Sequence, residues 1–452
     1  MFAAPNVPAL WIPAAPVLVA LLVWVFRDPG RWFLGFAAAT LLLPPLPFPA
    51  GETGPHPAVL FAALGLWRGA RRISQWRAPR NALTGSAAAL FLTMLLSVVW
   101  ALLYSGPVVA AGSFARVLLF AISLFVLFYY AHGPGAEEVA EPRRWASWLS
   151  ALGIASALLA CVDFYFQLLP PAGFGEQFVW LSSGVYRRAQ GMFYEAGVLG
   201  TLCSFFLVWT ALAWLQPSPR TIATKYLAAG SVVLSAALLF SFSRSSLLSA
   251  AAALATLFVF RRNQFGLRRI LPLAVVAVAG GVVLTYMIFP AFVETYVLRL
   301  VYSGLDLGDK PDTVLGGRLA TWRTIVGALA DNPAKWLLGV GFKTLPYGGL
   351  GEPIIADNMY ICMLAETGLV GLGAMLWFLA AILWYCYRAA RSADPAASFM
   401  GTWFFCFWIG VLVQMLSVDA LTYWRVLPLY FAVAGLAVRE HDRYDRSGPR
   451  SA

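Results

Sequence analysis

Charge is scarce in this sequence, and cysteine and histidine are scarcer. Only 12% of the 452 residues are charged, with five cysteines, three histidines and fewer acids (21) than lysines and arginines (32). The cysteines Cys161, Cys203, Cys362, Cys386 and Cys406 all fall within or at the ends of apolar runs, never as a spaced pair in a polar loop. Neither a disulfide framework nor a cysteine metal site is expected. His56 and His132 sit in weak contexts and His441 lies in the tail, so no histidine zinc cluster is expected and no metal is assigned. The first apolar stretch, about 7–26, has no basic residues before it and contains Pro13 and Pro16, which argues against a cleavable signal peptide. Polar and apolar alternation is also missing: 82–104 and 270–290 are apolar on all sides, which disfavours a membrane barrel.

What is present is hydrocarbon. Hydrophobic residues make up 60% of the chain and the mean hydropathy is +0.74. Many uninterrupted apolar runs are long enough to cross ~30 Å of bilayer as helices. The predicted helices lie near 9–26, 31–48, 57–67, 82–104, 113–131, 146–168, 193–214, 225–242, 245–260, 270–290, 358–387, 399–416 and 420–438. The alternate connections, 27–31, 68–80, 132–145, 215–225, 261–269 and 388–398, together with the tail from Arg439, then share one side and hold most of the 32 basic residues. By the positive-inside rule that side is cytoplasmic, and the stretches 169–192 and 291–356 lie outside the cytoplasm. The net charge of +11 mostly reflects this collar and is no sign of nucleic-acid binding. The chain divides into N-terminal transmembrane helices (1–290), a long polar loop (291–357), C-terminal transmembrane helices (358–438) and a tail (439–452).

The basic residues outside the collar gather at the opposite face. Arg116 is expected to begin a helix, Arg187 and Arg188 to precede another, and Arg425 to lie near the last helix. Arg318 and Arg323 are in the long loop, and Arg244 occupies a tight turn in Phe240-Ser241-Phe242-Ser243-Arg244-Ser245-Ser246. Taken singly, each has a bland reading as a snorkelling side chain or an acid's partner, but Arg244, flanked by hydroxyls and able to leave the hydrocarbon only at the outer surface, suggests a function. Together they supply the planar bidentate donors that a phosphate or pyrophosphate needs. The acids Asp163, Glu195, Asp357, Glu366 and Asp419 map to the same face. Glu366 and Asp419 read as ion-pair or capping residues, while Glu195 and Asp357, at loop–helix junctions, are the carboxylates best placed to accept a proton. Within the loop, 318–330 has apolar residues at helical spacing and ends at Asn332-Pro333, and glycine-rich turns follow. On pattern alone this helix reads as a packing element on the bilayer surface.

Several motifs in order resemble a known family. They are Ser243-Arg244-Ser245-Ser246-Leu247 between two helices, Gly317-Arg318 with Trp322 and then Asn332-Pro333, Gly339-Val340-Gly341-Phe342, and Asn358-x-Tyr360 followed by Leu364-Ala365-Glu366-Thr367-Gly368-Leu369-Val370-Gly371-Leu372. This order, over roughly 187–438, resembles the bacterial O-antigen ligase and polymerase superfamily. The resemblance implies an all-α polytopic inner-membrane protein, GT-C-like, with about 12–13 transmembrane helices and one large, partly helical periplasmic loop. It also implies a donor glycan on undecaprenyl pyrophosphate and an acceptor that is either lipid A core or another lipid-linked repeat unit. Membrane lipid and a chain-length co-polymerase are the other partners to expect, and no cofactor is.

By the same resemblance, Arg244 and Arg318 match the family's pyrophosphate-binding arginines, and Arg187 or Arg188 matches less directly. Arg116, Asn358 and Tyr360 join the expected substrate-binding set, and Asp357 and Glu195 are the expected catalytic pair. Ligases of this family carry histidine before Asn-x-Tyr, where this chain has Asp357. The run Gly191-Met192-Phe193-Tyr194-Glu195-Ala196-Gly197 looks closer to the Gly-x-Phe-x-Glu-Pro-Ser pattern of polysaccharide polymerases. Both departures tilt the reading to polymerase, with ligase as the alternative. A lipid-linked glycan transporter or flippase is the rival from another class. It predicts internal repeats and midplane charge, whereas no convincing repeat is found and the charges cluster at one face.

Overall fold

The structure is a computed structural model that describes residues 11–46, 55–77, 79–168, 177–181, 183–216, 224–263 and 317–447, with a few positions between 286 and 295. The expected helix 270–290 and most of the loop before 317 lie outside the described residues. The helices are α1 Trp11–Arg27, α2 Trp32–Leu42, α3 Ala58–Arg71, α4 Ala82–Ser105, α5 Pro107–Ala131, the short α6 Gly135–Glu138 and α7 Pro142–Phe166. They continue as α8 Ala196–Leu215, α9 Thr224–Phe240, α10 Arg244–Phe260, α11 Arg318–Ala330, α12 Pro333–Leu338, α13 Met359–Ala390, α14 Pro395–Gln414 and α15 Leu427–Ser447. The protein is thus an all-α polytopic membrane protein. Among the described residues, α4, α5, α7, α8, α13 and α14 are long and apolar enough to cross a bilayer, and shorter apolar helices cover Ala14–Arg27, Tyr226–Phe240 and Arg244–Phe260.

The apolar runs sort into lipid-facing and core-facing stripes. On α4, Leu83, Ala87, Leu90, Met94, Ser97 and Ala101 are buried, whereas Leu92, Leu96, Val99 and Leu103 are exposed. Both sets step by three or four residues, so one face packs and the other meets lipid. Helices α8 and α14 are largely enclosed by their neighbours. Phe205 of α8 is their hub: its ring lies 4.4 Å from Trp403 and 4.8 Å from Phe407 on α14, and 4.7 Å from Tyr430 on α15. The Trp403 indole also donates to the Phe205 carbonyl at 2.7 Å. At the collar end, Arg261 donates to Ala390 O, Ser398 Oγ and Thr402 Oγ1, tying α10 to α13 and α14.

Four local features differ from the expected helices, each for a readable reason. The second helix stops at Leu42 rather than 48 because Pro44 and Pro45 follow it. The fifth begins at Pro107, with Gly106 at φ 84 before it, so Arg116 sits about two and a half turns inside the helix rather than at its start. An antiparallel hairpin, β1 Phe178–Leu181 and β2 Gly184–Arg187, forms within the stretch expected to be a loop, with Phe178 opposite Arg187. The last helix begins at Leu427, because 420–422 form a 3-10 turn.

The long α13 is broken at Gly368, whose φ of 69 and ψ of −172 are not helical. Residues 369–390 alone span about 33 Å, so the first turns, 359–367, form a separate cap at the end of the bundle. The loop fills the break: Val340 and Gly341 N–H donate to the carbonyls of Ala365 (3.0 Å) and Glu366 (2.8 Å). Phe342 N–H donates to Ser97 Oγ of α4 at 3.1 Å. The approach is so close that a Cβ on Gly339 would lie 2.4 Å from the Glu366 carbonyl, and one on Gly368 would lie 2.1 Å from Leu337 O. Gly368→Ala therefore forces both a disfavoured φ and a backbone clash, and should cost about 2 kcal/mol or more. Gly373→Ala, where a Cβ meets nothing within 4 Å, should be neutral or stabilising. Thermal unfolding of the two detergent-solubilised variants checks this; equal midpoints would contradict the role given to the break.

Candidate functional site

The loop helix α11 is fastened to the start of α13 through one face. Arg318 and Trp322, four residues apart, both reach the segment before Met359. Trp322 Nε1 donates to Ala356 O at 2.7 Å, and Arg318 donates to Asp357 Oδ2 through Nη2 at 3.0 Å and Nε at 3.3 Å. Two turns on, Ile325 and Leu329 on the same face are fully buried with Leu345, Ala356, Cys362 and Ala365. The helix is therefore packed protein on one side, with its arginine at the edge of the contact. Asp357 has φ 46, a left-handed conformation that aspartate tolerates, and Asn358 caps α13 by accepting from Tyr360 N (3.0 Å) and Ile361 N (3.1 Å). Capping is thus Asn358's task and Asp357 is left to face Arg318.

A second set of charges stands beside this pair. Lys343, at φ 59 just past the filled break, places Nζ 2.5 Å from Asp419 Oδ2. Burial works against its ammonium, but Asp419 and Glu366 outweigh it and hold its pKa above the ordinary 10.5. Glu366 is buried at 1% exposure, with the backbone N–H groups of Lys343 and Leu345 directed at its carboxylate. Asp419 also accepts from Cys362 Sγ at 3.2 Å. Asp419 is an ion-pair residue and makes no side-chain capping bond, while Glu366 acts on Lys343 through the charge of its buried carboxylate.

Glu195 links these groups to α10. It holds the N-cap position of α8 without a side-chain capping bond, and Tyr423 donates its hydroxyl to Glu195 Oε2 at 3.3 Å. Burial raises the Glu195 pKa, and the nearby Asp357 and Asp419 raise it further, against Tyr423 and Lys343, which lower it. Two residues on, Gly197 lies against the Tyr423 hydroxyl and Ser243 Oγ, and its carbonyl accepts from Ser246 Oγ at 3.2 Å. Ser243 caps α10, accepting from Ser246 N at 3.3 Å, and so presents the exposed Arg244 at that helix's first residue. Thr201 Oγ1 donates to Gln414 Oε1 at 2.9 Å, and Gln414 Nε2 donates to Ser246 Oγ at 3.0 Å, pinning α8, α10 and α14 together beneath.

The remaining expected residues divide. Arg116 donates to Tyr347 Oη at 2.8 Å, stacks over that ring, and reaches the Lys343 carbonyl. Arg188 donates to Ser241 O at 2.7 Å, near α10's start. Arg187 turns inward instead: it is 7% exposed and donates to Asp163 and to Leu168 O. Tyr360 gives its hydroxyl to Leu412 O at 3.1 Å, which with the Asn358 cap makes both residues part of the scaffold under the site. Lys343 and Tyr423 carry no sequence pattern that singles them out. Only their packing against Asp419 and Glu195 reveals them. His56 is a scaffold residue too: Nδ1 accepts from Ala58 N, so Nε2 donates to Leu43 O at 3.0 Å. Among the described residues no group of three or more histidines, cysteines or acids is arranged to hold a metal ion.

Residues 229–376, from within α9 to beyond the break in α13, match the family model described as O-antigen ligase. This match supports membership of the O-antigen ligase and polymerase superfamily. The match also supports an activity of the membrane glycosyltransferase type. Comparison with curated proteins returned no match. The matched span includes Arg244, Arg318, Lys343, Asp357 and Glu366, whereas Glu195, Asp419 and Tyr423 lie outside it.

The raised Glu195 pKa has a stability consequence. The folded protein binds this proton more tightly than the unfolded chain, so the contribution is fully present below the ordinary value of 4.5 and is lost as pH rises through the raised value. Glu195→Gln removes the ionisation. Its melting temperature relative to wild type should therefore be higher at pH 8 than at pH 4, as read by thermal unfolding in detergent. A difference independent of pH would contradict the burial and crowding assigned to this carboxylate.

Proposed function

We propose that this protein transfers a glycan from undecaprenyl pyrophosphate to a sugar hydroxyl on the periplasmic side of the inner membrane. Its most natural role is to polymerise lipid-linked repeat units of O-antigen or exopolysaccharide. The observation that carries the reading is the pairing of Arg318 with Asp357, within a charge cluster shared by Glu195, Asp419 and Lys343 and bordered by the start of α10 at Arg244. Such a cluster offers both donors for a diphosphate and carboxylates for a proton.

In this reading the acceptor hydroxyl oxygen attacks the anomeric carbon from the face opposite the leaving group. The carbon–oxygen bond to phosphate breaks, its electron pair leaves with the lipid pyrophosphate, and the configuration inverts. Arg244 and Arg318 neutralise the charge that develops on the pyrophosphate, which lets fixed guanidinium groups serve where other enzymes use a metal ion. Arg188 and Arg116 add positive potential from the rim, and Arg187 supports the hairpin beneath. The hydroxyl proton passes to Asp357, with Glu195 as the competing acceptor; general-base catalysis of this kind contributes about 10²- to 10⁴-fold. Asn358 and Tyr360 hold the strand that carries Asp357.

The alternative acceptor is lipid A core, which would make the protein a ligase. Asp357, in place of the ligase histidine, favours the polymerase. Purified protein incubated with lipid-linked repeat units, with and without lipid A core, separates the two. A ladder of lipid-linked products supports polymerisation, single transfer to core supports ligation, and no transfer with either contradicts the proposal. In the same assay Arg244→Lys, which keeps charge but loses the bidentate fork, should lose much of the activity, and Arg244→Ala nearly all of it, with folded protein still in the membrane. Wild-type turnover in Arg244→Ala would remove it from the clamp.

Sidedness is tested separately. A single cysteine placed at Gly348 or Ser182 should react with an impermeant reagent from the periplasmic side, and one at Gln75 should not. Reaction at Gln75 from outside would reverse the orientation and the site with it.

A further inference from the structure

We propose that Arg318 and Asp357 form an exchangeable latch: the donor's pyrophosphate displaces Asp357 from Arg318, so the carboxylate is released to act as base only when a donor is bound. The idea rests on the glycosyltransferase reading above and adds an order of events to it.

Three observations carry the latch. First, both Arg318 bonds, from Nη2 and Nε, converge on the single oxygen Oδ2 at 3.0 and 3.3 Å, so the guanidinium edge that would grip a phosphate is the edge occupied by Asp357. Second, the pair is accessible. The side chains are 33% and 47% exposed, and an ion pair this open to water is weak enough for a multiply charged bidentate anion to replace it. Third, the backbone around Asp357 does not need the pair. It is held before Asp357 by Trp322 on Ala356 O at 2.7 Å, and after it by the Asn358 cap and by Met359 N on Met415 O at 2.8 Å. Opening the pair therefore frees a side chain without loosening the strand. The neighbouring ionisable groups fit this exchange. Lys343, the neighbouring cation, is already engaged by Asp419, so it does not take Arg318's place on Asp357 at no cost.

An internal carboxylate that competes for Arg318 must weaken the binding of a free anion. Inorganic pyrophosphate titrated calorimetrically into the full-length protein in nanodiscs measures this directly. Asp357→Asn should bind pyrophosphate about threefold to fivefold more tightly than wild type, the scale of an exposed ion pair. Arg318→Ala should bind it more weakly, and in that background Asp357→Asn should bring no tightening, because there is no latch to open. Thermal unfolding of Asp357→Asn near the wild-type midpoint accompanies the result if the strand is held as described.

Unchanged or weaker binding by Asp357→Asn, with the Arg318 dependence intact, overturns the latch alone. Equal tightening with and without Arg318 also overturns it, since removing one negative charge from the region then explains the effect. Binding indifferent to Arg318, or absent altogether, overturns the latch and the pyrophosphate clamp together.

Discussion

The structure depends on how the carbonyls left open at the break in α13 are satisfied. A helix interrupted at Gly368 exposes backbone acceptors next to apolar surroundings, where an unpaired group is costly. The protein meets that demand with the loop itself: Val340 and Gly341 donate to the carbonyls of Ala365 and Glu366. The same contact draws Lys343 down beside Glu366 and Asp419 and brings the strand 354–358 over α11. Gly339 and Gly368 are the residues that allow two backbones to meet this closely. A hydrogen-bonding requirement at one helix break thus fixes the loop segment that carries Lys343 beside Glu366 and Asp419.

The charges so placed are unequal in character. Lys343 and Asp419 pair in a mostly enclosed position and stabilise the loop where it turns, while Arg318 and Asp357 pair at the open edge. Glu195 is a further, partly buried carboxylate whose pKa is raised by burial and by the nearby Asp357 and Asp419. An enclosed pair suits a structural task, because separating it leaves a charge in poor solvent. An accessible pair suits exchange with substrate. The division of labour proposed for the site follows from this difference in exposure more than from residue type.

Much of this was legible in the sequence, and the failures have physical causes. The long helices follow from apolar runs whose length alone demands a spanning helix. The match of 318–330 to α11 follows from helical spacing that ends at Asn332-Pro333. The break at Gly368 was not legible, because one glycine in an apolar run is compatible with a continuous helix; only the partner segment 339–341 makes the interruption favourable. An apolar run beginning at 113 puts Arg116 near a helix start, whereas Gly106-Pro107 begins the helix. Arg187 looked like its neighbour Arg188 until the hairpin register turned one toward Asp163 and the other toward Ser241. Lys343 and Tyr423 were silent for the same reason as the break: their significance lies in contacts between segments distant along the chain.

The central claim is that the charged end of this bundle receives the diphosphate of a lipid-linked donor. It is tested most directly by a cryo-electron microscopy structure of the protein with a non-hydrolysable lipid-pyrophosphate analogue. The account predicts phosphate oxygens within hydrogen-bonding distance of the Arg318 and Arg244 guanidinium groups, with the sugar-bearing side toward Asp357 and Glu195. A diphosphate bound elsewhere, with Arg318 and Arg244 both remote from it, would contradict the account.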